Sequence, residues 1–349
     1  MNTYDFVFIT NVPAFYKVNL FNRLAKYCRV KVIFISNKSK IRNSDFYNYT
    51  HEFDSEYIHV GNFEDRNNLQ TLIKIYNTLK NINFIKLVYP GWEIKELLLL
   101  SFLSNKKKNS VVIESSINET KTTGYAWLLK KLFLKRMSSA YPSGFLQKKI
   151  LEKIKFHGQI TLTHGVGIPN YIRRPFKGLH EKKDEGILTY LYVGRLSKEK
   201  NLSFLVDTFN KRLEKLIIVG SGPEAIELES KSKNNITFLG YVNNINLNEI
   251  YKSADVFILP SKSEPWGLVI EEALTFGLPI IVSNKVGCKD DLITNGNGLI
   301  FDVDDTDSFE CCLNEMNTNY KKYFDQVNAI DMHSIYERQV KSYLISLKS

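Results

Sequence analysis

Short apolar runs alternate with longer amphipathic stretches along the whole chain. In the first half Asp5–Thr10, Val30–Ser36, Ile85–Tyr89, Ser110–Glu114 and Ser139–Tyr141 predict buried strands. Between them Val18–Tyr27, Leu69–Leu79, Glu93–Leu103, Gly124–Met137 and Gln147–Lys155 carry helical spacing. Such alternation predicts an α/β fold, a parallel sheet with helices on both faces. Binding loops then belong at the carboxyl ends of the strands.

Arg173–Asp184 (RRPFKGLHEKKD) breaks this pattern. It is charged and holds Pro175 and Gly178, so a linker over residues 173–186 is expected. A second alternation follows. Its strands are LTYLYVGRL from Leu188, then Leu216–Val219, Ile236–Leu239, Val256–Leu259 and Ile280–Ser283. Asn201–Phe209 and Ile226–Ser232 are its helices, and Tyr320–Leu347 reads as helical. Two doubly wound, Rossmann-like domains in series are therefore expected, over residues 1–172 and 187–325.

Composition fits this plan. With 349 residues and 44% hydrophobic positions, two domains can each bury a core. No run of about 18 apolar residues predicts a membrane span. The opening MNTYDFVFIT lacks a basic start and a small-residue cleavage site, so a first strand is expected there, not a signal peptide. Cys28, Cys288, Cys311 and Cys312 are too scattered for a disulfide framework or a zinc site. A reduced, cytoplasmic protein without a metal is expected.

Charge is uneven. Residues 1–180 hold 28 Lys and Arg against 12 Asp and Glu; the remainder holds 19 against 25. A basic half could meet nucleic acid, anionic lipid or a phosphate-bearing substrate. No helix-turn-helix, RNP or zinc-finger pattern is present, which disfavours nucleic acid. Tyr125–Met137 (YAWLLKKLFLKRM) suits a helix at an anionic membrane surface; a core helix with solvated lysines is the other reading.

The densest chemistry lies in Ser263–Pro279 (SEPWGLVIEEALTFGLP). Glu264 and Glu272 are eight positions apart, roughly 12 Å along a helix, about the span from a sugar across a diphosphate to a ribose. If a helix starts near Trp266, its N-terminus offers free N–H groups and a positive dipole end to that diphosphate. Upstream, the strand ending Tyr192-Val193-Gly194-Arg195 delivers Arg195, and Lys200 follows. A forked and a mobile cation together suit a diphosphate. Gly220-Ser221-Gly222-Pro223-Glu224-Ala225 matches the dinucleotide fingerprint, but the acidic residue due at the end of the next strand is replaced by Gly240-Tyr241-Val242. A dehydrogenase is thereby disfavoured. Asp290 and Asp291 read as the first turn of a helix, not a metal pair.

These motifs resemble the E-x7-E region and its upstream loops in retaining GT-B glycosyltransferases of family 4. The resemblance is strong over about Tyr190–Val303 and only topological before that. It implies two domains facing across a cleft, with residues 326–349 crossing back onto the first. It assigns Glu264, Arg195 and Lys200 to catalysis. Donor contacts fall to Glu272, Trp266, Gly267, Leu268, Gly194, Gly220 and Gly222, with Tyr241 and Val242 at the base. The donor is a nucleotide-diphosphate sugar used as co-substrate, with no cofactor. The basic first half and the amphipathic helix motivate the acceptor, a growing glycan or polyprenyl-diphosphate-linked acceptor at the inner membrane face, in cell-surface polysaccharide (O-antigen or capsule) synthesis.

On the acceptor side the family's first helix begins with an aromatic and a basic residue, here Tyr16 and Lys17; simple helix capping is the alternative. Trp92 could form a platform or close the core. Several relatives place a histidine after the central strand, where this chain has Glu114 and Ser116 instead. Two rivals remain: a sugar-nucleotide epimerase on the same fold, and a non-catalytic nucleotide-sugar-binding subunit of a membrane transferase.

Overall fold

The computed structural model describes residues 3–47, 49–170, 186–294 and 296–348. The expected linker at 173–186 lies almost wholly outside them. The chain divides into two compact units, Met1–Asn170 with Ile335–Ser349, and Tyr171–Ser334.

The first unit is built on strands β1 (Thr3–Thr10), β2 (Val30–Lys38), β3 (Asp54–Asn62), β4 (Asn83–Tyr89), β5 (Asn109–Ile113), β6 (Ser139–Pro142) and β7 (Gln159–Ile160). They form one sheet in the order β3-β2-β1-β4-β5-β6-β7, parallel throughout. Strands β3 and β7 were not apparent in the apolar pattern. Of β3 only Ile58 is buried, as suits a polar edge strand, and β7 is two residues long. Ile9, Ile33, Leu87 and Val111 fill one core with Ile75, Leu97, Leu100, Phe133 and Ile150 of the covering helices. Trp127 faces inward in the helix Gly124–Leu134, so that helix is part of the core, while Tyr125 and Leu128 on it are exposed.

The last helix, Met332–Ile345, supplies Tyr343, whose ring lies edge-on to Phe6 and Phe8 and 4.9 Å from that of Tyr141. Tyr141 hydroxyl and Ser346 Oγ share a hydrogen bond of 2.7 Å, and Arg23 pairs with Glu337.

The second unit holds β8 (Thr189–Val193), β9 (Lys215–Val219), β10 (Ile236–Gly240), β11 (Val256–Leu259), β12 (Ile280–Ser283) and β13 (Gly298–Phe301), again all parallel, in the order β10-β9-β8-β11-β12-β13. Both units are thus doubly wound α/β sheets. In each, chain order reverses beside the first strand, between β1 and β4 and between β8 and β11. A crevice opens at the carboxyl ends at such a switch point, because the connections leave in opposite directions. Among the described residues no helix is long and apolar enough to cross a membrane.

Candidate functional site

The switch point of the second unit gathers the motif residues. Strand β8 ends at Val193 and runs on into Gly194-Arg195, and β11 leads through Ser261 to Glu264. A 3-10 turn at Lys198–Lys200 brings Lys200 Nζ onto Glu264 Oε2 as an ion pair, both side chains largely buried. Asn201 holds a left-handed conformation (φ 59°) directly after it. The two segments are also tied through backbone, since Lys262 N–H donates to the Glu199 carbonyl at 2.8 Å. Arg195 lies on the same loop with its side chain exposed.

Glycines keep these loops close. A Cβ on Gly220 would lie 1.8 Å from the Gly194 carbonyl oxygen, and one on Gly222 would lie 2.2 Å from that of Leu196. Leu196 N–H donates to Ser221 at 3.0 Å. The close approach of backbone to backbone therefore requires glycine at both positions.

The helix following Glu264 starts at Leu268, two residues later than Trp266. Gly267 caps it in a left-handed conformation (φ 102°) and, as a glycine, supplies no side-chain cap. The amides at Gly267 and Leu268 are where an anion would be met. The turn at 284–288 supports the loop: Gly287 N–H donates to the Glu264 carbonyl at 2.9 Å and Cys288 N–H to that of Trp266 at 3.0 Å.

Both glutamates of the Glu271-Glu272 doublet are buried. Trp266 is buried too, and its indole N–H donates to Glu271 Oε1 at 2.6 Å. Burial pushes the Glu271 carboxyl up to about 8; the indole bond lowers it and neighbouring Glu272 raises it further. The Tyr251 hydroxyl donates to Glu272 Oε2 at 2.8 Å, and the Tyr251 ring stacks on Phe276 at 5.0 Å. Burial raises Glu272 to about 7 against the pull of that hydroxyl. Sequence reasoning missed Tyr251 and Glu271. The doublet was visible, but nothing in the helix Leu247–Ser253 marks Tyr251 as a partner. Tyr241 is exposed after β10, where Gly240 turns at φ 63° and its carbonyl accepts from Gly220 N–H at 2.8 Å. Val242 follows it.

In the first unit the loop after β1 brings in Tyr16 and Lys17, and Glu114 follows β5. Lys17 Nζ lies 2.9 Å from Glu114 Oε1. Burial would depress the ammonium, but Glu114 outweighs it and the pKa is raised. Tyr16 packs against Gly167, leaving no room there for a Cβ. Ser116 is fully buried, and its hydroxyl has no hydrogen-bond partner among the described residues. Trp92 is half-buried against the core, with Lys130 Nζ 5.0 Å from its ring centre. Asp290 and Asp291 lie in the first turn of the short helix Lys289–Leu292. Among the described residues no group of three His, Cys, Asp or Glu could hold a metal.

Residues 176–330 match the family described as glycosyl transferases group 1. They belong to it. This stretch carries every motif residue of the second unit. The chain is 38% identical to the uncharacterized glycosyltransferase MJ1607 of Methanocaldococcus jannaschii over 118 residues, 31% of this chain and 30% of that protein. It is 29% identical to the O-antigen biosynthesis glycosyltransferase WbnH of Escherichia coli over 201 residues, 56% of this chain and 55% of that one. The matches thus span about a third to a half of these relatives. The fold is similar to that of Anabaena Alr3699/HepE in complex with UDP and glucose, with a TM-score of 0.73, 15% identity, and 99% and 98% of the two chains covered.

Proposed function

We propose that the chain is a glycosyltransferase that moves a sugar from a nucleotide-diphosphate sugar to a hydroxyl of a glycan acceptor. The observation that carries this is the grouping at one switch point of Lys200 on Glu264, Arg195 on the same loop as Lys200, and a helix N-terminus at Gly267. In the reaction the bond from the anomeric carbon to the β-phosphate oxygen breaks, and its electron pair goes to that oxygen. The acceptor oxygen bonds the anomeric carbon, and its proton passes to the departing phosphate. Arg195, Lys200 and the Gly267 and Leu268 amides neutralise the charge that develops, in positions fixed before reaction. Glu264 takes the sugar hydroxyls, held in place by Lys200. Glu272, oriented by Tyr251, takes the ribose.

Retention at the anomeric carbon, with no metal, follows from the resemblance to the family. Synthesis of a surface polysaccharide such as O-antigen is favoured by the likeness to WbnH, and the lipid-linked acceptor by the basic first unit. Lys17, Glu114, Ser116, Tyr16 and Trp92 form the acceptor side of this reading. It places the protein in the cytoplasm, peripheral at the membrane.

A thermal-shift panel of UDP, GDP, ADP, CDP and NAD on the wild type and Glu272→Ala tests the donor half. A ligand at about 100 times its Kd adds roughly 2.7 kcal/mol. One diphosphate should stabilise the wild type and not the variant. A shift with NAD alone, or none with any diphosphate, would overturn the reading. Donor consumption without added acceptor would point instead to an epimerase. Donor binding without turnover would point to a subunit.

A further inference from the structure

Three consecutive helices of the first unit, Asn68–Lys80, Lys95–Leu103 and Gly124–Leu134, hold large apolar side chains in the open. Leu69 and Ile73 on the first, Leu99 and Phe102 on the second, and Tyr125 and Leu128 on the third are each at least half exposed. The first helix packs on the second. Arg136 laces the second to the third: its Nε donates to the Ser101 carbonyl at 3.0 Å, and its guanidinium lies 5.4 Å from the Phe102 ring centre. The core is filled from the inner sides by Ile75, Leu97 and Phe133. The outer apolar residues therefore add nothing to it.

A helix that faces water normally turns charges of both signs outward. Here the outer sides hold no carboxylate. The first and third helices contain no Asp or Glu at all, and the second contains only Glu96, buried 2.6 Å from Arg66 Nε. Lys74, Lys80 and Lys95 are exposed, and Lys106, Lys107 and Lys135 gather where the second and third helices end. Asp65 and Glu93 lie ahead of the helix starts, at the opposite end.

We infer that this three-helix face docks on an anionic lipid bilayer, with its apolar side chains entering the headgroup boundary and its lysines meeting lipid phosphates. Charge selects the occupant: a second copy of the same face would set lysine against lysine. In a parallel α/β sheet the C-terminal ends of the helices lie away from the carboxyl edge of the strands. Lys80, Lys106, Lys107 and Lys135, at or just past those ends, therefore hold the bilayer without covering the loops that carry Lys17 and Glu114. The inference gives the lipid-linked acceptor of the proposed reaction a surface on which to be met. Vesicle binding is read without turnover, so the two readings fail separately.

The full chain is co-sedimented with vesicles of equal phosphatidylglycerol and phosphatidylcholine, and with phosphatidylcholine alone. Binding to the anionic vesicles at low salt, lost at high salt, is expected. Leu99→Ser with Phe102→Ser and Leu128→Ser should weaken it at least tenfold, estimated from the apolar surface removed. Lys106→Gln, Lys107→Gln and Lys135→Gln should each weaken it about fivefold. All six sites are exposed, so melting curves should match the wild type. No binding to anionic vesicles, or binding by both sets of variants equal to that of the wild type, overturns the inference. So does a wild-type dimer that the apolar variant converts to monomer in light scattering, which would assign the face to a second copy.

Discussion

Lys200 and Glu264 stand 64 positions apart in the chain and meet as an ion pair where β8 and β11 diverge. Each is the other's main means of orientation. Lys200→Ala should lower turnover by about 10²–10³-fold, the usual effect of removing one preorganised charge. Glu264→Ala should do comparable damage. The double variant should lose much less than the product of the two, because both changes break one unit. Donor-turnover assays on the four proteins measure this. Independent, multiplicative losses would show that the pair does not act together.

Tyr251 should matter through Glu272. Its hydroxyl is the group that holds Oε2 in a buried position. Tyr251→Phe should weaken binding of the diphosphate found in the thermal-shift panel by about 3–10-fold, the net worth of a typical hydrogen bond. Phe retains the stacking on Phe276 but leaves the buried Glu272 carboxyl without that donor, so stability without ligand should also fall, by about 1–3 kcal/mol. Titration calorimetry with wild type and variant gives the comparison.

Glu271 should give the protein an inverted pH response. Its carboxyl is raised from an ordinary 4.5 to about 8 in the fold, so between those values the folded chain holds more protons than the unfolded one. Stability from this group is therefore full below 4.5 and falls as pH rises towards 8. Glu272 adds to the slope over a shorter window, up to about 7. Glu271→Gln keeps an acceptor for the Trp266 indole and should flatten the fall. Glu271→Ala leaves that N–H unpaired and should cost about 1–3 kcal/mol below pH 4.5, the gap closing as pH rises and the wild type loses stability. Urea unfolding at a series of pH values separates the three proteins.

Gly220→Ala should damage the second unit by packing alone. Its Cβ would meet the Gly194 carbonyl at 1.8 Å, in a backbone conformation (φ 138°) that alanine rarely adopts. A loss of about 2–3 kcal/mol in urea unfolding is expected. Gly240→Ala, at φ 63° but in open space, should cost only about 1 kcal/mol.

The central strands were legible because burial on both faces leaves unbroken apolar runs, as in Val256–Leu259. Edge strand β3 was not, since Ile58 is its only buried residue and its pairing with β2 is invisible locally. Glu264, Glu272, Arg195 and Lys200 could be singled out because charge in an apolar stretch stands out. Which of them touch could not: Lys200 on Glu264 and Tyr251 on Glu272 are long-range meetings set by the order of strands. Trp266 shows the same limit. Expected among the donor contacts, it turns its indole inward to Glu271.

Tyr343 and Ser346 close over Phe6, Phe8 and Tyr141, residues made more than two hundred positions earlier. A chain emerging from the ribosome therefore exposes these rings throughout the synthesis of the second unit. The first unit, although it is begun first, is completed last. Growth order and folding order run against each other here, and a nascent chain halted before residue 335 would carry an uncovered aromatic surface for any chaperone to find.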